Sequence, residues 1–192
     1  MRDTGPEKAD MLVDTTISTT IRVATALLFA ASFTHKLWHF AAFRVVLEQY
    51  LHGFGIYRPR LLGPLAAAVI ALEVLIVAAC FWPGGGVVAA ILASATLLFY
   101  AFAMAVNIVR GNTLLDCGCT WGDARQRVSA ALVARNMLLS LVISIIALPT
   151  NERELLAMDV ISIFLATLAA TLLSIAVNNL LVLADQGRGH VR

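Results

Sequence analysis

Five stretches of this chain are each apolar for about the length that crosses a bilayer, and that feature decides most of what it can fold into. A membrane-crossing helix needs roughly 20 mainly apolar residues. The stretches run from about Thr16 to Leu37, Leu65 to Trp82, Val87 to Val109, Val128 to Leu148 and Val160 to Leu183. Hydrocarbon offers no water to a free backbone N–H or C=O, so each segment must satisfy its own backbone as a helix. The expected fold class is therefore all-α, a polytopic transmembrane helix bundle. Composition agrees: 14% of residues are charged and mean hydropathy is +0.85, against about 25% charge in a soluble domain. An ordinary water-facing surface is excluded. The length suits one transmembrane domain over 16–184, between a polar N-terminal segment 1–15 and a polar tail 185–192.

Punctuation fits these segments. Pro64 suits a first helical turn, Pro83-Gly84-Gly85-Gly86 is a tight connection, and Pro149 stops the fourth span. The N-terminus carries mixed charge (Arg2, Asp3, Glu7, Lys8, Asp10, Asp14) rather than the basic start of a signal peptide, so the first apolar segment is expected to remain as a membrane helix. With a net charge of +2 and no basic run, nucleic acid is not an expected partner.

The stretch Phe40 to Ile56 is too polar to span. Phe40, Phe43, Leu47, Tyr50, Leu51 and Phe54 recur at helical spacing on one face, and Arg44, Glu48 and His52 share another. That pattern predicts an amphipathic helix lying in the membrane interface, either as a hinge or as a lid or docking surface near the next loop.

That loop holds Asp116-Cys117-Gly118-Cys119, between the third and fourth spans. Three cysteines cannot form a disulfide framework. Cys80, inside an apolar run, reads as a small buried hydrophobe, whereas Cys117 and Cys119 read as reactive or metal-binding. The thiolate is the reactive form, and Arg110, Arg125 and Arg127 flank the pair. Disulfide formation needs Cα atoms within about 7 Å, which a bend at Gly118 permits. Such a small ring is readily reduced and suits exchange. Two thiolates also suit Cu(I) or half of a zinc site, so a metal reading stays open.

Ionisable groups at bilayer depth need a reason. Glu73 lies mid-span in the second segment, Arg135 and Asn136 lie near the start of the fourth, and His35 and Lys36 close the first. One reading is an ion pair of Glu73 with Arg135 or Lys36 that fixes helix packing. The other is a proton path or a quinone headgroup site, since oxidising a dithiol releases two protons and reducing a quinone consumes two. His35 and His39, four residues apart, have a spacing that metal or haem ligands use. Trp38, Trp82 and Trp121 fall near span ends, as interfacial anchors do.

Alternating spans put the Phe40–Ile56 helix and the cysteine loop on one side, with Lys36, Arg44, Arg58, Arg60, Arg110, Arg125 and Arg127. The positive-inside rule would make that side cytoplasmic.

Taken in order, His35-Lys36, Leu72-Glu73, Arg110-Gly111, Asp116-Cys117-Gly118-Cys119 and Arg135-Asn136 resemble the methylamine utilisation protein E (MauE) family, related to DoxX-like four-helix membrane proteins. The resemblance covers about Val23 to Leu148 and leaves the fifth helix outside it. It implies a four-helix core in the bacterial inner membrane and an accessory role in maturing the disulfide-rich small subunit of methylamine dehydrogenase. It also implies a thioredoxin-like periplasmic partner (MauD-like), with Cys117 and Cys119 as the redox pair. Lys36, Glu73, Arg135 and Asn136 match the family's recurring polar positions. One departure stands out: the family's Cys-Gly-Cys-Phe-Gly is replaced here by Cys119 followed by Thr120-Trp121-Gly122. This role calls for cysteines facing the periplasm, against the charge count. A thiol–disulfide oxidoreductase is thus the leading expectation, beside a non-catalytic scaffold or chaperone and a Cu or Zn carrier.

Overall fold

The computed structural model describes residues 13–56, 58–112, 128–151 and 153–189. Its helices are α1 (Thr15–Trp38), α2 (Phe40–Gly53), α3 (Pro59–Phe81), α4 (Gly86–Val109), α5 (Ala130–Ser144, extended by a short 3-10 turn to Ala147) and α6 (Ala157–Gly189). All but α2 are long and apolar enough to cross a membrane, which makes this a multi-pass membrane protein of the all-α class. Most large apolar side chains on the outside, such as Phe99, Phe102, Leu141 and Phe164, are exposed as lipid-facing residues are.

Two boundaries differ from the hydropathy reading. The second span opens at Pro59, not near Leu65, so Pro64 lies inside α3 rather than in its first turn. The last helix continues through the polar residues to Gly189. At 1.5 Å per residue its 33 residues reach about 50 Å, beyond a hydrocarbon core of about 30 Å.

Helix α4 is the centre: half of its apolar window is buried, against 6% for α6. Ala89, Ala90, Ala93, Ala101 and Ala103 line its buried face, and small side chains let neighbouring backbones come close where water supplies no driving force. A reciprocal serine bridge joins it to α5: Ser94 Oγ donates to the Ser140 carbonyl (3.1 Å), and Ser140 Oγ to the Ser94 carbonyl (3.3 Å). Phe29, Ile76, Leu97, Ile143 and Ile146 fill the apolar core between α1, α3, α4 and α5. Cys80 is buried with Ala26, Ala79 and Ala89, as a small hydrophobe would be.

On one side of the bundle, Val13–Asp14 pairs in parallel with Thr150–Asn151, and Asp14 caps α1 by accepting from the Thr16 N–H at 2.7 Å. That bond, then the Thr16 hydroxyl and Arg153, holds the Asp14 carboxyl below the usual carboxylate range. Arg153 grips Asp159 with both terminal nitrogens, at 2.8 and 2.9 Å, and so ties α6 to this junction. Arg22 reaches the α3 C-terminus and donates to the Cys80 carbonyl at 2.6 and 3.1 Å. A cation there meets the negative end of the helix dipole. The opposite side carries α2 and the two residues, Asn112 and Val128, that flank the cysteine segment.

Candidate functional site

The interior of the bundle holds one charged pair among the described residues. Lys36 near the end of α1 is 3% exposed and Glu73 of α3 is wholly buried. Lys36 Nζ donates to Glu73 Oε1 in a direct ion pair. Ser32, one turn back on α1, donates to the same oxygen at 3.0 Å, and Tyr100 of α4 at 2.8 Å. Lys36 also donates to Ser32 Oγ at 3.0 Å and to the Tyr100 hydroxyl at 3.4 Å. Its ammonium lies 5.0 Å from the Tyr100 ring centre and 5.3 Å from that of Phe43 on α2. Isolated charges are expensive at bilayer depth, and a buried pair is tolerable only where further hydrogen bonds satisfy it. Here three donors converge on one carboxylate oxygen, while Glu73 Oε2 has no partner among the described residues. Tyr100 lies nine residues before the end of α4, about 14 Å from it.

Of the two partners open to Glu73 in sequence, the structure brings in Lys36 and turns Arg135 away. Arg135 donates from Nη1 to Asn178 Oδ1 of α6, and so pins the last helix to α5. Asn136 beside it is buried. His35 and His39 place their rings 4.6 Å apart, and His39 Nδ1 lies 3.1 Å from the His35 carbonyl at the α1–α2 junction. Among the described residues no three His, Cys, Asp or Glu side chains come together. Trp38 and Trp82 are exposed at span ends, as anchors are. Asp116, Cys117, Cys119, Trp121, Arg125 and Arg127 lie outside the described residues.

The supports on either side of the cysteine segment are described, and both involve α2. This helix is amphipathic as expected: Phe43, Leu47, Tyr50, Leu51 and Phe54 are half-buried, and Arg44 and His52 are exposed. On the near side, Gly53 at the end of α2 sits on Asn107 of α4. A Cβ at position 53 would overlap Asn107 Oδ1, so any larger residue forces the Asn107 side chain to move. Asn107 is wholly buried and its Nδ2 is held by the Ala103 carbonyl at 2.9 Å. Arg110 donates to the Gly53 carbonyl, and the Asn112 N–H donates to the Asn107 carbonyl at 2.9 Å. On the far side, Val128 is buried with Met104 and Leu132, against Tyr50 of α2 and Tyr100. Tyr100 therefore touches the ion pair through its hydroxyl and the packing around Val128 through its ring. We expect Gly53→Ala to lower the thermal stability of the detergent-solubilised protein by about 1–3 kcal/mol, as overpacking does. An unchanged unfolding midpoint would show that Asn107 yields freely.

Ser32, Tyr100, Gly53, Asn107 and Asn178 were not singled out from sequence. Only Ser32, four residues before Lys36 on one helix face, left a usable signal there.

The family profile for "Methylamine utilisation protein MauE" matches residues 14–149. This chain is similar to the methylamine utilization protein MauE of Paracoccus denitrificans, 36% identical over 137 residues that cover 69% of each protein. It is also similar to the proteins of that name from Paracoccus versutus, 33% identical over 62% of each, and Methylophilus methylotrophus, 35% identical over 57% of this chain and 55% of the relative. No solved structure matches. The match takes in α1 to α5, with Lys36, Glu73 and both flanks of the Cys-Gly-Cys segment, and the chain belongs to the methylamine utilisation protein MauE family.

Proposed function

We propose that this protein is a membrane thiol–disulfide redox accessory of methylamine utilisation, working through Cys117 and Cys119 with a thioredoxin-like partner to form or correct disulfides in the small subunit of methylamine dehydrogenase. The names of its relatives place them in methylamine utilisation. The observation that carries the redox reading is the anchoring of Asn112 and Val128. The Asn112 N–H is bonded to the carbonyl of Asn107 on α4, the residue on which Gly53 of α2 rests, and Val128 is buried in a cluster packed against Tyr50 of α2.

The chemistry is exchange. A thiolate of one protein attacks a disulfide of the other, a mixed disulfide forms, and the second thiolate resolves it. Two electrons pass from dithiol to disulfide. The two protons lost by the thiols that are oxidised are taken up by the thiols that form. A glycine between the two cysteines permits the bend that bonding reach requires, and cations close to a thiol favour its thiolate.

This reading puts the cysteines on the periplasmic face, where a thioredoxin-like partner and a disulfide-rich client meet them. Two positive charges on that side are already committed: Lys36 to Glu73 and Arg110 to Gly53. Labelling of intact spheroplasts with a membrane-impermeant maleimide tests side and redox state together. We expect Cys117 and Cys119 to label only after reduction, and from outside. Thiols that stay free under both oxidising and reducing growth would end the redox reading.

A further inference from the structure

Between α2 and the end of α4 lies an open cleft of about 490 Å³, lined by Val45, Glu48, Gln49, His52, Gly53 and Asn112. We propose that this cleft seats an extended stretch of the polypeptide whose cysteines exchange with Cys117 and Cys119. The inference rests on the redox reading above and deepens it.

Three observations lead there. The first is chemical. Among the described residues the walls offer a carboxylate, an imidazole and two carboxamides, with one aliphatic side chain. Carboxamides carry both donors and acceptors, so Gln49 and Asn112 can pair with peptide N–H and C=O groups of any sequence. The cleft also opens on the polar side of α2, which exposes Arg44, Gln49 and His52. Its occupant is a water-borne chain rather than a lipid.

The second observation is position. Asn112 is in the wall and Cys117 follows five residues later. Five residues span at most about 18 Å even when fully extended. A polypeptide held in the cleft is therefore within the reach of the thiols, whatever path the chain takes between.

The third is rigidity. The floor is Gly53, fixed by contact with the buried Asn107 and by the Arg110 guanidinium on its carbonyl. The Asn112 N–H is bonded to the Asn107 carbonyl. Floor and wall thus share one support, and the cleft is formed before any ligand arrives. A preformed site binds more tightly because less ordering accompanies binding.

The test uses the full-length protein in lipid nanodiscs, with Cys117 and Cys119 reduced. The probes are a short fluorescent peptide with one internal disulfide and a small aliphatic disulfide too small to use the cleft. In each reaction two electrons leave the Cys117–Cys119 dithiol and reduce the probe's disulfide, whose new thiols take up the two protons. Val45 is 53% exposed, so Val45→Trp narrows the cleft without touching the core. We expect it to raise the half-saturating peptide concentration about tenfold, the loss typical of one blocked contact point, and to leave the small-disulfide rate unchanged. In parallel, Gln49→benzoylphenylalanine should cross-link the peptide on irradiation, and Phe164→benzoylphenylalanine on the exposed face of α6 should not. If Val45→Trp leaves peptide reduction unaltered, or the probe at position 49 captures no more peptide than the one at 164, the cleft is not the seat. If the native protein reduces neither disulfide, the redox reading falls and this inference with it.

Discussion

Replacing Cys117 or Cys119 by serine is expected to abolish thiol–disulfide exchange and active methylamine dehydrogenase while the helix bundle stays folded. Among the described residues, other side chains form the buried clusters that hold the bundle together. Those run through Phe29, Ile76, Leu97 and Ile143, and through Met104, Val128 and Leu132. Serine keeps the size of cysteine and removes only the sulfur, so the loss is chemical. The two single variants should differ in one respect. Exchange passes through a mixed disulfide that the second thiol resolves. The variant lacking the resolving cysteine should accumulate a covalent adduct with its partner, visible on a non-reducing gel and dissolved by reductant. The variant lacking the attacking cysteine should form none. Together the two assign both roles. Complementation of a strain lacking the protein supplies the in vivo readout, as the amount of active dehydrogenase. Normal maturation by both variants would overturn the redox mechanism and leave the family membership untouched.

The fold was largely legible because lipid leaves an apolar run of this length one way to satisfy its backbone. The five spans and the amphipathic α2 follow from period and length alone. Boundaries were less legible where that constraint ends. Arg58, Arg60, Gly63 and Pro64 resemble a connection, yet Pro59 is a good first helical residue and α3 begins there. Hydropathy is also silent past Leu183, where α6 continues to Gly189. At the buried site, Lys36 and Glu73 declared themselves by being ionisable at bilayer depth. Which cation answers Glu73 did not. Arg135 was an equal candidate until packing put α1 beside α3 and drew Arg135 to Asn178 on α6. Tyr100 and Asn107 were illegible for another reason: a single hydroxyl or amide within an apolar helix gives no indication of which neighbour it faces. Gly53 was hidden likewise, since its role depends on Asn107, 54 residues away in the chain.

Removing one member of the buried pair should be the most destabilising change available in the core. With Lys36→Met, the Glu73 carboxylate stays wholly buried and loses its cation, keeping only the Ser32 and Tyr100 hydroxyls. With Glu73→Leu, the Lys36 ammonium is stranded between two aromatic rings. Breaking a buried pair from one side costs about 3–5 kcal/mol, because an uncompensated charge remains. Replacing both residues by apolar ones removes that charge, so the double variant should be far less destabilised than the sum of the singles. Tyr100→Phe is the graded member of the series. It keeps the ring on Met104, Val128 and Leu132 and deletes one donor to Glu73 Oε1, a loss of about 1.5–3 kcal/mol for a hydrogen bond to a charged group. Thermal unfolding of the four variants in detergent micelles measures all of this in one experiment. Single variants as stable as the native protein would mean that the pair does not hold the bundle together. If instead the double variant recovers stability and still fails to mature the dehydrogenase, the pair is retained for its charge, and the carboxylate oxygen left without a donor is where to look for the reason.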